Sequence, residues 1–531
     1  MMGRRQRIET KLFYTNVSLD SRVRADNPLR QIKAAIDFDF VPAAVKPLYG
    51  VRGNQSVDPI VLMKLMLLLV TENIPSERKL MARMSERLDW MWFCGYDLDS
   101  EIPDHSVISK ARRRWGVEVF SDLFQRVLQQ CMEAELVDGE TLHVDASILR
   151  ANADKSTIHP ALRLAAGQLY GRLEEEAAPD GPSEPTPPAC DSQPSIETLA
   201  PGVSPTAKDE TASTRRPDEP APGTLVSSTD PDARLTRKNG QTVLGYKDHR
   251  VVDDRFGVIT ATVTTDAATA DSHVLDEALD QHVQNTDIAP RTVVADRGYG
   301  TADVYQSMAR RDITPCIPHQ NHKGGKGVGI YETKDFAYDA QCDAYRCPQG
   351  QWLNRYCTTG DGSGRYQPAK GICSACAKRS LCTNAKSGRR VARNVGQEWI
   401  DWADGCYSRE HRRRLLRRRM YRSEGSFADA SNNHGYKRAR WRGLVGMTIQ
   451  NLLVAAAQNL RKLIRARRKK PSMGLHALAA MRPARPTVVH LLTCEWFLRH
   501  WRLFIGQRRS TRPIRPSKTQ KLVAYAVRIK L

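Results

Sequence analysis

His143-Val144-Asp145-Ala146-Ser147 and Val293-Val294-Ala295-Asp296-Arg297-Gly298-Tyr299 are two short β-prone runs, each bringing an Asp to its end. Far downstream, Glu424 stands in an arginine-crowded stretch that reads as helix, Arg417-Arg418-Arg419-Met420-Tyr421-Arg422-Ser423-Glu424-Gly425-Ser426-Phe427. Two strands and a helix can bring three carboxylates to one point, the arrangement needed to hold two divalent metal ions. A single Asp at a strand end is as often a turn or capping group. Two of them, with a distant Glu on a basic helix, point to metal-assisted chemistry on a polyanion.

The elements around these runs set the fold class. Gly245 to Val252, the polar turn Asp253-Asp254-Arg255-Phe256-Gly257 and Val258 to Thr265 read as a β-hairpin. A helix from about Ser272 to Val283 follows, then a strand from Thr292 to Asp296, a helix from Thr301 to Arg311 and a strand from Ile313 to Ile317. With the strand around Asp145 this gives three strands able to pair antiparallel, then helix, strand, helix, strand. That order is the ribonuclease-H-like topology, in which the first carboxylate lies on the first strand and the second at the end of the fourth, side by side in the sheet. The third is harder to choose. Glu332, Glu398, Asp401, Asp404, Glu410 and Asp429 are also available, and Glu424 is favoured because arginines beside it would meet phosphates. On a regular helix Arg417, Met420, Glu424, Phe427 and Ser431 would share one face.

The chain has 531 residues, with 81 Lys and Arg against 59 Asp and Glu, a balance of +22 that implies nucleic acid rather than a small molecule as partner. The start, Met1-Met2-Gly3-Arg4-Arg5-Gln6-Arg7, leads into no signal-peptide core, and the apolar run Ile60 to Val70 is too short to span a bilayer. The expectation is a cytoplasmic protein with no membrane partner.

The fold class expected is α+β and multidomain. Residues 1–135 read as an all-helical DNA-binding domain. In it Ile60, Met63, Leu67 and Val70 share a face of a buried helix whose one charge is Lys64, and Ile102-Pro103-Asp104-His105-Ser106 opens a helix carrying Arg112, Arg113 and Arg114 outward, as a DNA-docking element would. Residues 136–176 hold the first strand and a following helix. Residues 177–233 are rich in Pro, Ser and Thr, poor in aromatics and expected to be disordered. The core continues over 234–320, a Cys-rich insertion spans 321–400, the helices of 401–465 complete the core, and 466–531 form a basic extension in which Trp496, Phe497, Trp501 and Phe504 alternate with arginines.

Seven of the 12 cysteines fall between 316 and 382. Cys347-Pro348-Gln349-Gly350 resembles a zinc knuckle, and Cys373-Ser374-Ala375-Cys376 with Cys382 supplies three more thiols, enough for a closed tetrahedral site. Cys342 and Cys357 are alternative ligands, and a second CxxC is missing.

Taken together these motifs resemble the DDE transposases of bacterial insertion sequences, most closely the eleven-eighty-two family. The resemblance runs through Ile102 to Ser106, Val144-Asp145-Ala146-Ser147, Gly245-Tyr246-Lys247-Asp248-His249, Val294 to Tyr299, Glu424-Gly425-Ser426-Phe427-Ala428, and Gly435 with Arg438 to Leu444. It implies Asp145, Asp296 and Glu424 as the catalytic triad on two Mg²⁺ or Mn²⁺ ions, and binding to the terminal inverted repeats of a mobile element and to target double-stranded DNA. It also implies DNA recombination by strand cleavage and transfer, with a homodimer on DNA. Candidate DNA contacts are Arg112, Arg113, Arg114, Lys247, Arg413, Arg417, Arg422 and Lys437. One position departs from the resemblance: related chains place a Lys seven residues beyond the Glu, and here that position is Ser431, with Lys437 further on as a substitute cation. The departure keeps open a transposase-derived DNA-binding protein that does not cut. A ribonuclease-H-like nuclease acting on other nucleic acid is the third reading.

Overall fold

A computed structural model describes residues 18–52, 54–161, 225–320, 331–360 and 362–469. The expected helix after the first strand, most of the 177–233 insertion and the extension beyond 469 lie outside the described residues.

The centre is a mixed six-stranded sheet. β1 (Thr141–Arg150) runs antiparallel to β5 (Gln241–Asp253), which pairs along its other edge with β4 (Arg234–Lys238) and then β6 (Ile259–Asp266). On its far side β1 is parallel to β7 (Thr292–Ala295), and β7 to β8 (Thr314–Cys316). Thus antiparallel strands β6-β5-β1 lead into parallel strands β1-β7-β8. The small strands β2 (Ile158–Pro160) and β3 (Leu225–Ser227) form a separate pair.

Both faces of this sheet are covered, and each buries apolar side chains of the central strands. One face packs Leu142, Val144, Val251 and Val293 against the helices Asp271–Thr286 and Ala302–Arg310. The other packs Leu149, Tyr246 and Val252 against the long helix Gly443–Lys469. Among the described residues eight α-helices precede β1, from Leu19–Arg22 to Glu118–Glu133. The central one, Pro59–Thr71, starts where the Asp58 side chain accepts the Ile60 N–H and Pro59 fixes the first turn. Its Leu62 to Val70 stretch is buried all round, and Lys64 lays its ammonium beside the Phe38 and Phe93 rings.

Two sequence expectations change here. The helical front has no core of its own: Leu67, Phe120, Leu123 and Leu128 belong to the same cluster as Leu149, Tyr246, Leu453 and Leu460, so the front is stitched to the sheet through the last helix. The described residues also include 225–233, which the sequence reading assigns to the insertion. Ser227, Asp230 and Ala233 are buried, and most of the polar atoms there are hydrogen-bonded. Ser227 Oγ accepts the N–H groups of Thr229 and Asp230, while Asp230 Oδ1 accepts from the Tyr246 hydroxyl and from Gly443 N–H.

Between β8 and the helix Gln397–Gly405 lies a second antiparallel sheet of five short strands, β9 (Ala337–Asp339), β10 (Ala344–Arg346), β11 (Trp352–Thr358), β12 (Gly364–Gln367) and β13 (Val391–Arg393). Its core is small: Phe336, Tyr345, Leu353, Tyr366 and Val391, with Cys347 and Cys382 packed against it.

Candidate active site

Val144 faces Ala295 in the parallel β1–β7 pair, so the next residue of each strand, Asp145 and Asp296, stands at the same level in adjacent strands. Asp296 leaves β7 and caps the single 3₁₀ turn Arg297–Tyr299, its Oδ1 accepting the Gly298 N–H at 2.8 Å. Asp145 Oδ1 accepts the N–H of Ala146, and its Oδ2 accepts from Arg419 Nη1 at 2.8 Å.

Arg419 arrives on a helix that changes its winding at the site. The helix Arg409–Arg419 passes through a π turn, Met420–Glu424, into the helix Gly425–His434. A π turn inserts one residue and rotates everything beyond it by about 100° relative to regular helix. The expected common face of Arg417, Met420, Glu424, Phe427 and Ser431 is therefore broken: Met420 is 53% exposed and Phe427 only 7%. Arg419 takes the inward position on Asp145. Glu424 closes the π turn, solvent-exposed but near enough for its charge to act on Asp145.

Two anchors hold this helix over the sheet. Asp254, in the β5–β6 turn, bonds His143 Nε2 on β1 at 2.8 Å and pairs with Arg418. Deeper, Asp248 accepts from Arg250 Nε at 2.7 Å and from the Tyr436 hydroxyl at 2.7 Å. Arg250 then donates to Ser426 Oγ and Gln458 Oε1, lying against the rings of Phe427 and Tyr436. This wholly buried pair links the strand beside β1 to the helix that begins after Glu424, and its charges are tolerated because they are paired and hydrogen-bonded.

The acids are short of positive charge. Burial pushes the Asp145 carboxyl up to about 6; Arg419 pulls it back, and Asp296 and Glu424 push it further up. Burial also raises Asp296, with the Gly298 N–H and Arg419 opposing and Asp271 adding to the rise. Asp271, at the first turn of its helix, lies beside Gly298, where an added Cβ would meet Asp271 Oδ2 at 3.0 Å and Asp296 Oδ1 at 3.0 Å.

Arg413 and Arg417 line, with Arg297, Arg409, Arg412 and Arg419, a groove of about 460 Å³ that Asp296 borders. The other expected DNA contacts are placed differently. Arg112 is buried, paired with Glu77 and stacked on Trp441 at 4.0 Å, because it faces the helical core. Arg113 and Arg114 are exposed. Lys247 is held by Thr269 O at 2.6 Å and Asp271 Oδ1 at 2.9 Å. Arg422 donates to Arg255 O at 2.8 Å and turns from the groove. Lys437 donates to Ser147 Oγ at 2.8 Å, on the same face of β1 as Asp145. Burial lowers its ammonium pKa, as do Lys238 and Arg250. Ser431 spends its hydroxyl on Phe427 O of its own helix.

Residues 17–114 match the family model of a transposase domain (DUF772), and residues 346–464 match that of a transposase DDE domain. These two matches support a DDE transposase of the insertion-sequence type. The transposase also shows a distant likeness to a chain in the cryo-EM structure of the piggyBac transposase synaptic complex with hairpin DNA. The two are 10% identical over 86% of this chain and 84% of that one, with a TM-score of 0.27. No curated protein matches the transposase in sequence. Among its described residues no helix is long and apolar enough to cross a membrane.

Three features of the transposase's site escaped the sequence reading. Arg419 is one of eight arginines between 409 and 422, and nothing local singles it out. Asp271 reads as an ordinary acid at a helix start. The Asp254 anchor lies in a turn where carboxylates are common.

The oxygen donors suit a hard divalent cation, and the raised Asp145 carboxyl shows a cluster that an added positive charge would relieve. Among the described residues no three acidic, His or Cys side chains stand within reach of one ion, and Arg419 supplies the cation in contact with Asp145.

Proposed function

We propose that this transposase is an active member of the eleven-eighty-two type, with a ribonuclease-H-like core in which Asp145, Asp296 and Glu424 are the catalytic carboxylates. The observation that carries the reading is the side-by-side placement of Asp145 and Asp296 where parallel β1 and β7 pair, with Glu424 at the end of the π turn close enough for its charge to act on Asp145. Asp145, Asp296 and Glu424 would hold Mg²⁺ or Mn²⁺. When bound, such ions stabilise phosphoryl charge and lower the pKa of an attacking water.

The chain's own residues would do the rest. Arg413 and Arg417, in the groove beside Asp296, seat the phosphates of the strand to be cut, a contact that weakens with salt. Lys437, on the Ser147 side of Asp145, supplies the cation that Ser431 lacks. Arg113 and Arg114, exposed on the helix Ser106–Trp115, meet the duplex further out. The substrates are the element's terminal inverted repeats and target DNA, held by a homodimer that brings two ends together.

The test is cleavage of a labelled duplex carrying the terminal repeat in Mg²⁺. Nicking at the element boundary, lost by about 10³-fold or more in Asp145→Asn and Asp296→Asn while repeat binding persists, supports the reading. Binding without cleavage by the unaltered chain would overturn it.

A further inference from the structure

Cys347, Cys373, Cys376 and Cys382 come from three separate stretches of chain and line one cavity of about 40 Å³ under the second sheet. That space is ample for a single ion. All four are free thiols, and the Cys382 thiol lies close enough to the other three for their charges to act on it. The rivals from the sequence are elsewhere: Cys342 and Cys357 are exposed and do not line the cavity.

The backbone around Cys347 forms a tight turn that offers its sulfur a donor. Gly350 takes φ +77°, a conformation that side chains rarely adopt, and so turns the chain back on itself. Its N–H reaches Cys347 O at 2.8 Å, and the next N–H, that of Gln351, points at Cys347 Sγ at 3.3 Å. On the opposite wall Gly388 approaches so closely that a Cβ there would lie 3.1 Å from Cys373 Sγ. Arg389 follows it, donating to Cys382 O at 3.2 Å and lying over the Phe336 ring, so one guanidinium adjoins the thiols.

The energetics of this region point the same way. Among the described residues of 331–393 the buried apolar cluster is Phe336, Tyr345, Leu353, Tyr366 and Val391. A core of that size offsets little of the entropy of ordering about 60 residues, and a metal staple would add to it. Among the described residues no cysteine here is disulfide-bonded, so all four thiols are available as ligands.

We propose that Cys347, Cys373, Cys376 and Cys382 bind one structural Zn²⁺ that holds the second sheet together. Four thiolates without oxygen or imidazole donors select a tetrahedral thiophilic ion, and each thiol gives up its proton as it ligates. The four thiols line the cavity without meeting at one point, so ligation requires their side chains to turn inward. The site stands independently of the catalytic reading, because it rests on other residues and supplies structure rather than chemistry.

The experiment is elemental analysis of the purified full-length chain, followed by Co²⁺ substitution. The expected result is about one zinc per chain, and on exchange the visible and near-ultraviolet bands of tetrahedral cobalt on four sulfurs. Cys373→Ser with Cys376→Ser should lose the metal, while Cys342→Ser with Cys357→Ser should keep it. As a test independent of the folding of the first variant, the unaltered protein is also treated with a strong chelator. Limited proteolysis should then open within 331–393, and added Zn²⁺ should restore resistance. Protein purified without zinc that fails to take up Co²⁺, iron in place of zinc, or zinc retained by the Cys373 and Cys376 double variant would each overturn the proposal.

Discussion

Arg419 Nη1 meets Asp145 Oδ2 at 2.8 Å with both side chains 13% exposed, so the cation in direct contact with the central carboxylate belongs to the protein itself. Its Nε is buried without a partner, which leaves the guanidinium loosely committed. Arg419→Ala should therefore lower the stability of metal-free protein by roughly 3 kcal/mol, the cost of stranding a buried charge. Mn²⁺ should then raise the melting temperature of the variant more than that of the unaltered chain, since an ion would replace the missing charge. Equal shifts in calorimetry would separate Arg419 from the metal position.

Lys437 and Ser431 make opposite predictions about the same phosphate. Lys437→Met should slow strand cleavage by about 10-fold or more, through loss of a charge-assisted contact, and reduce the salt dependence of binding by about one unit of slope. Ser431→Lys should change the rate by less than about 2-fold, because its hydroxyl is turned onto Phe427 O of its own helix. A large gain from Ser431→Lys, with Lys437→Met unaffected, would place the phosphate on the other side.

Arg112 and Arg113 are sequence neighbours with different roles. Arg112→Ala should cost about 3 kcal/mol in urea denaturation, since it breaks the pair with Glu77 and the stack on Trp441 that tie the helical front to the last helices. Arg113→Ala should leave stability within about 0.5 kcal/mol and weaken duplex binding. Equal effects of the two on binding alone would mean that Arg112 leaves its pocket to reach DNA.

His282 gives a pH signature away from the site. It is buried on the helix Asp271–Thr286, with Nδ1 at 2.8 Å from Thr260 Oγ1, and burial lowers its pKa to about 4. Between that value and the ordinary 6.5 the unfolded chain binds a proton that the folded chain refuses, so stability falls as pH falls through this window. The stability advantage of the unaltered chain over His282→Gln should shrink from pH 6.5 toward pH 4, at most by about 1.4 kcal/mol per pH unit. A constant difference in denaturation midpoint would show that the imidazole charges inside the fold.

The sequence by itself determined five strands of the central sheet, because their signals are local. Alternating or continuous apolar runs bounded by turn residues place β1, the β5–β6 hairpin, β7 and β8 within a few residues, and the order of these elements restricts how Asp145 and Asp296 can meet. Tertiary structure alone decided which cations serve the site. Arg419 rather than Arg417 faces Asp145 because a π turn rotates the helix at Met420–Glu424, and that turn is held by contacts with residues more than a hundred positions away, such as His143 through Asp254 and Arg250 through Ser426. Arg112, Arg113 and Arg114 are identical in sequence chemistry, yet one is buried because Glu77 and Trp441 lie opposite it. The same holds for the cysteines: spacing offered six thiols, and the folding of the second sheet gathered four around one cavity. Periodicity encodes which face of an element is apolar, but the partner that satisfies a buried charge or thiol comes from elsewhere in the chain and is fixed only when the elements pack.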